Sequence, residues 1–314
     1  MGREMGEGAH AQFTEGEVIA AISQIFATGD SRILHGIGDD AAVVRGFSKQ
    51  VFASDMAVEG VHFTSEWSSA FDIGRKIAAA NIADILAMGA HCDYLTAALA
   101  LTGDESLSWI ENLARGMKAE CDKAGAHIVG GDISRGEQIV ISMSALGHTE
   151  KAILRSGASI GEGIYISSMT GWSAAGLHLL TEEISLNSGS ADRALSEFAA
   201  PTLDYDLDFT AATSMSDVSD SFLTQATQMA TASGVAFEIS PALFEGDQEF
   251  MELQLLANEV NADIWQWVLG GGEDHVLLAT GHNLPGVRIG TVHSGSGVIG
   301  LEMKKAPVSW SHFH

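Results

Sequence analysis

The chain has 314 residues, 46% of them hydrophobic, with 35 glycines. That composition suits a compact, turn-rich fold long enough for two ordinary domains. Acidic residues outnumber basic ones 41 to 16, and the net charge of -25 excludes a nucleic-acid-binding or anionic-membrane-binding surface. Cys92 and Cys121 lack the paired spacing of a zinc site or a disulfide framework. The opening "MGREMGEGAH" has no signal-peptide core, and no apolar run reaches the roughly 18 residues of a membrane span. A cytoplasmic protein is expected.

Thr14 and Glu17 in "TEGEVIAAISQIFA" form a capping box that starts a helix, with Ile19, Ile22, Ile25 and Phe26 at helical spacing. Short β-rich runs follow at 41–44 and 51–53. "GRKIAAANIADILAMGA" (74–90) predicts a helix that is apolar almost all round, and "LSWIENLARGMKAECDKAGA" (107–126) a second. "HIVGGD" and "QIVISMSALGHT" read as two strands. The polar, glycine-rich crossing at 148–160 is the expected boundary between domains 1–148 and 149–314. Beyond it, "GIYISSMTGWSAAGLHLL" reads as strand, turn and helix. "SMSDVSDSFLTQATQMATASG" (214–234) reads as a helix with Val218, Phe222, Ala226 and Met229 on one face. Mixed short strands close the chain. The elements interleave without strict alternation, which predicts an α+β or mixed α/β fold.

Five acidic stretches stand apart from the charged surface: "GDD" (38–40), "ASDMAVEGVHF" (53–63), Asp84 in "NIADILAMGA", "GGDISRG" (130–136) and "SDVSD" (216–220). Asp39 and Asp40 repel each other with no counter-charge nearby. Asp84 lies among Ile82, Ile85, Leu86 and Met88, where an unpaired carboxylate costs several kcal/mol. Structural explanations exist for each stretch alone. Asp217, Ser219 and Asp220 can cap the helix they precede, "GGD" can be a turn, and Asp84 can pair with Arg75 or Lys76. Together they form a set of hard oxygen donors without Cys or His clusters, which suits Mg²⁺ bridging to phosphates. No Walker A or protein-kinase loop is present, so any ATP phosphates are held mainly through metal ions.

In this order the stretches resemble the thiamine-monophosphate kinase family of the aminoimidazole-ribonucleotide-synthetase-like superfamily. The resemblance runs from about residue 12 to the C-terminus through "GIGDDAAVV", "SDMAVEGVHF", "AAANIADILAMGA", "GGDISRG", "LRSGA", "DVSDSFL", "GGGEDHVLL" and "WSHF". It implies a two-domain α+β fold of the synthetase-like kind, with the N-terminal sheet at a homodimer interface. It also implies ATP-dependent phosphorylation of thiamine monophosphate to thiamine diphosphate, with several Mg²⁺ ions. By resemblance, Asp40, Ser54, Asp55, Asp84, Asp132, Asp217 and Asp220 are metal positions. Gly131, Asp132, Arg155 and Ser219 contact ATP, and His62, Glu273 and Trp310 hold the thiamine phosphate.

The sequence departs from that pattern at Ser221-Phe222, at His275-Val276 where a tyrosine-glutamate pair is usual, and at Ala114 where a relative places a tyrosine. "FAAPTLDYDLDFTAA" replaces a Pro/Arg-rich stretch. Two other readings stay open: another ATP-using enzyme of the superfamily, and a non-catalytic metal- or nucleotide-binding regulator. The acceptor phosphate has a second pKa near ~6 and is largely dianionic at neutral pH, so no general base is assigned.

Overall fold

The computed structural model describes residues 14–38, 41–47 and 49–301. The first half runs α1 (Glu15–Phe26), β1 (Ile33–His35), β2 (Val43–Val44), β3 (Gln50–Val58), α2 (Ala70–Ala87), β4 (His91–Leu101), α3 (Leu107–Ala124), β5 (His127–Arg135) and β6 (Val140–His148). The second half runs β7 (Gly163–Ile166), α4 (Trp172–Thr181), α5 (Gly189–Ala199), β8 (Ser214–Asp217), α6 (Phe222–Ser233) and β9 (Ala236–Ile239). It closes with α7 (Pro241–Glu245), α8 (Gln248–Glu259), α9 (Ile264–Gly270), β10 (Leu277–Gly281), β11 (Val287–His293) and β12 (Gly297–Ile299).

The first half builds a four-stranded sheet ordered β3-β6-β4-β5, antiparallel except for the β4/β5 pair, which α3 connects. Period-two alternation sorts its residues onto two faces. Ala57, Met143, Ala145, Ala97 and Leu99 join α2 and α3 in one buried core. The other face carries Phe52 and Met56, 72% and 54% exposed, in a field of small polar residues including Ser144 and Thr96. Nothing among the described residues covers it. α2 and α3 approach closely because both offer a glycine at the crossing. A Cβ on Gly74 would lie 2.1 Å from Leu113 O, and one on Gly116 would lie 1.9 Å from Phe71 O.

The second half builds a six-stranded sheet ordered β12-β9-β11-β7-β10-β8, antiparallel except for β12/β9. Helices α4, α6, α8 and α9 pack on it around Phe222, Phe237, Phe244, Leu253 and Val268. Among the described residues no helix is long and apolar enough to cross a membrane.

The capping box of α1 forms as its sequence predicts, with Thr14 and Glu17 each satisfying the other's backbone. Three expectations need correction. The stretch 214–234 is not one helix: Ser214–Asp217 is a strand paired to β10, and α6 begins only at Phe222, so Val218 lies outside it. Its N-cap is Ser221, whose hydroxyl accepts from Thr224 N, rather than Asp217, Ser219 or Asp220. Finally, the expected closing strands are present as β9–β12, but three helices, α7 to α9, stand among them that were not expected.

Candidate active site

Edge strand β3 and helix α2 bring the first carboxylates together. Asn81, fully buried on α2, accepts from Asp55 N at 3.2 Å and donates to Ile77 O at 2.9 Å. This pins the middle of β3 to the helix one turn ahead of Asp84. Neither sequence-weighed partner reaches Asp84, because Arg75 pairs with buried Glu120 at 3.0 Å and Lys76 with Glu273 at 3.0 Å. Ser54, adjacent to Asp55, donates to Met143 O and accepts from Ser144 Oγ, so its hydroxyl is committed to β6.

The second half supplies the opposing wall. Asp217 ends β8, and Ser219 and Asp220 occupy the loop before α6. The turn Gly270–His275 closes against that loop: Glu273 N donates to Ser219 O at 2.6 Å and His275 N to Val218 O at 2.9 Å. Gly272 is required there, since a Cβ would stand 2.5 Å from both Ser219 O and Asp220 O. The three residues after it serve different partners. Glu273 meets Lys76, Asp274 accepts from Gly171 N and Ser173 N at the start of α4, and His275 Nδ1 lies 3.0 Å from Asp217 Oδ2.

These residues line a cavity of about 440 Å³ that holds Ser54, Asp55, His62, Lys76, Asp84, Asp217, Ser219, Asp220, Glu273 and His275. It shares His62, Phe63, Lys76, Ser219, Asp220 and Glu273 with a wider neighbour of about 640 Å³. The wider cavity is walled by Val61, Trp67, Leu177 and Phe198 and floored by Gly270–Gly272. Gln266 lines it, and its buried Nε2 has no hydrogen-bond partner, the kind of donor a bound ligand satisfies. Val58 N donates to His62 Nδ1 at 3.1 Å, which fixes the proton of the neutral ring on Nε2.

The electrostatics are those of crowded carboxylates. Burial, reinforced by Asp217 and Asp55, pushes the Asp84 carboxyl up from 3.8 to about 7. Burial also raises Asp55, with Asp217 and Glu273 adding to the rise. Burial disfavours the His275 cation, yet the hydrogen bond and charge of Asp217 prevail and lift it to about 9. Burial pushes Glu273 up, but the charge and hydrogen bond of Lys76, with His275 and His62, together hold it below the usual carboxylate range.

Not every sequence-singled residue joins this cluster. Asp55, Met143, Ala97 and Gly131 form one register row, and Met56, Ser142, Ala98 and Asp132 the next. Alternation therefore turns Asp132 to the uncovered sheet face and Asp55 to the helix-covered one. They are also three strands apart, roughly 14 Å at a strand spacing of about 4.8 Å. Within one chain they cannot share an ion. Gly131 and Asp132 instead line a third cavity of about 450 Å³, with Gly38, Ile22, Phe26, Ile110 and Ala114. Arg155 donates to Gln228 on α6 at 3.0 Å, and its charge reaches Asp84. Asp40 and Trp310 lie outside the described residues. Among those described, no three His, Cys, Asp or Glu side chains converge closely enough to hold a metal ion together.

Lys76, His275, Gln266, Trp67 and Phe198 had no functional assignment from sequence. Two of them left a signal: Lys76, a cation two turns ahead of Asp84, and His275, which departs from the family pattern.

The two sheets and the carboxylates gathered on β3, α2 and the loop after β8 define a protein of the AIR-synthase-like class. The family model described as AIR synthase related protein, N-terminal domain, matches residues 38–149. A thiamine-monophosphate kinase of Mycobacterium tuberculosis is 37% identical over 254 residues, covering 79% of this chain and 74% of the relative. A solved structure described as AaThiL complexed with AMPPCP and TMP superposes with a TM-score of 0.76 at 30% identity, covering 95% of this chain and 97% of that one. The thiamine-monophosphate kinase of Stenotrophomonas maltophilia K279a gives a TM-score of 0.78 at 29% identity, over 92% and 96%. The chain belongs to the thiamine-monophosphate kinase family.

Proposed function

We propose that this chain transfers the terminal phosphoryl group of ATP to thiamine monophosphate, giving thiamine diphosphate. The observation that carries this reading is the junction of two cavities, one lined by carboxylates and one largely apolar, through a common wall containing His62, Lys76 and Glu273. The apolar cavity suits the two rings of the acceptor, with Trp67, Phe198 and Leu177 as walls and Gln266 as an orphaned donor for a ring nitrogen. The acceptor's phosphate then lies toward the carboxylates. It is already dianionic at neutral pH and needs no base, so the barrier is repulsion between two anions. At an effective dielectric of 20 that repulsion is about 4 kcal/mol per unit-charge pair at about 4 Å.

The donor set fits Mg²⁺. Asp55, Asp84, Asp217 and Asp220 offer only oxygen, and burial beside Asp217 and Asp55 raises the Asp84 carboxyl, a cost a bound cation would relieve. These aspartates would hold the ions, with Ser54 in support and Asp40 and Asp132 as further ligands. When bound, Mg²⁺ neutralises the phosphate oxygens and aligns donor with acceptor. The adenine of ATP is assigned to the cavity beside Gly131 and Asp132, where Ala114 leaves room that a tyrosine would fill. Arg155 and Ser219 are assigned to its phosphates, and Trp310 to the acceptor.

We read 1–148 and 149–314 as two domains, each centred on its own sheet. The uncovered face around Phe52 and Met56 supports a homodimer, since apolar side chains this exposed need a cover. A second copy on that face would also bring its Asp132 toward this chain's Ser54, completing a site that one chain leaves open. Incubating the protein with ATP, Mg²⁺ and thiamine monophosphate and measuring thiamine diphosphate tests the reading. No product from the folded protein, or thiamine phosphorylated as readily as its monophosphate, would overturn it.

A further inference from the structure

Lys76 is the single Lys or Arg among the described residues lining either half of the site. It is 8% exposed. Its ammonium lies 3.0 Å from Glu273 Oε2, donates to Phe198 O at 3.2 Å, and sits 4.9 Å from the centroid of the Phe198 ring. The partner carboxylate is different in kind. The Glu273 side chain is 40% exposed, belongs to both cavity walls, and hangs from a backbone held at φ 66. A pair that served only to staple the two halves would gain nothing from placing one member on a strained turn at the junction of two cavities.

We infer that the Lys76–Glu273 pair is a charge-exchange site that selects a ligand carrying both a phosphate anion and an organic cation. This rests on the proposed acceptor, whose thiazolium is a permanent cation and whose phosphate is an anion. On binding, Lys76 passes from Glu273 to the phosphate, and Glu273 turns to the ring cation. The exchange conserves charge pairing only when the ligand brings both signs. Inorganic phosphate alone leaves Glu273 without a cationic partner, and thiamine alone leaves the buried Lys76 ammonium with only Phe198 and no anion, which is the costlier error. The chain thereby rejects the unphosphorylated vitamin at the binding step, before any phosphoryl transfer.

Calorimetric binding of thiamine monophosphate, thiamine and inorganic phosphate, without ATP, to the parent, Lys76→Gln, Lys76→Arg and Glu273→Gln tests this. Both neutral variants should bind thiamine monophosphate about ten- to hundredfold more weakly, the worth of one charge-assisted hydrogen bond. The single-charge ligands should cross over. Glu273→Gln releases Lys76 and should bind inorganic phosphate more tightly than the parent, and Lys76→Gln releases Glu273 and should bind thiamine more tightly. Lys76→Arg should keep most of the affinity for thiamine monophosphate. Uniform weakening of all three ligands together with a lower melting temperature would mark a structural staple and overturn the exchange. Should Lys76→Gln not fold, the half-exposed Glu273→Gln decides alone: phosphate bound no more tightly than by the parent overturns the inference. A parent that binds thiamine monophosphate beside variants that bind it equally well would sink the exchange and leave the proposed reaction standing. A parent that binds none would sink both.

Discussion

Replacing Asp84 by Asn tests the carboxylate cluster where its electrostatic cost is largest. Ile82, Ala83 and Ile85 around it have no exposed surface, and burial with the charges of Asp217 and Asp55 raises its carboxyl from 3.8 to about 7. Between about pH 4 and about pH 7 the folded chain keeps a proton that the unfolded chain releases. Stability therefore falls as pH rises through that window and levels off above it. About three pH units at about 1.4 kcal/mol each set an upper bound near ~4 kcal/mol, and the partly solvated cavity reduces this to about 2–3 kcal/mol. Asn has nearly the same shape and never ionises. Denaturant unfolding in the presence of chelator should find Asp84→Asn about 2–3 kcal/mol more stable than the parent near pH ~8, the gap closing toward pH ~4. Added Mg²⁺ should stabilise the parent and not the variant, and the variant should have lost turnover. A gap that did not change with pH, or near-parent activity, would refute the reasoning.

Phe52→Glu, on the uncovered sheet face, should give a single-chain mass by light scattering at micromolar concentration and lose activity with the dimer. A dimer that survives it would place the interface elsewhere. Gly116→Leu must push α3 away from Phe71 O, 1.9 Å from the nearest possible Cβ, and should cost about 3 kcal/mol or more by urea midpoint. Trp310→Ala should raise the KM for thiamine monophosphate about three- to thirtyfold, the energy of an indole face over a cation, with the KM for ATP nearly unchanged. A lower melting temperature with both KM values altered would mark Trp310 as a plug for the chain's end instead.

Helices α1 to α4 were legible in the sequence, as were the strands bounded by glycine, but the capped helices α5, α8 and α9 were not. Strand β4 was not, because "HCDYLTAALAL" is a central strand buried over most of its length and lacks the alternation that marks a one-sided strand. The misreading of 214–234 has a different cause. Val218 falls at helical spacing from Phe222 by coincidence, while the true start is Ser221, whose hydroxyl caps α6. Within the site, Asp55, Asp84, Asp217 and Asp220 could be found as acidic residues in apolar or turn settings, and the fold does gather them. The exclusion of Asp132 from that group could not be read, since it depends on strand order and face. Nor could the pairing of Lys76, which faces a turn almost two hundred residues away rather than its helical neighbours.

The charge of the chain makes the two halves dependent on each other. Residues 194–287 contain no Lys or Arg, yet they place Asp217, Asp220 and Glu273 in the carboxylate-lined cavity and Asp274 beside it. Among the described residues, His275 answers Asp217 from within this stretch, and the amides at the start of α4 answer Asp274 from before it. The remaining positive charge has to come from outside: Lys76 on α2, Arg155 in the crossing, and metal ions. The turn Gly270–His275 concentrates this dependence. Its Glu, Asp and His reach three different elements, and Glu273 and His275 both adopt positive φ, 66 and 53, at a cost of about 1–3 kcal/mol each. Those conformations persist because Lys76, α4 and Asp217 all pull on the same few residues. A ligand that takes Lys76 away from Glu273 removes one of the three restraints, so it must return an equal attraction to Glu273 for the turn to keep its shape. A cationic ring supplies that attraction, and an anion alone does not.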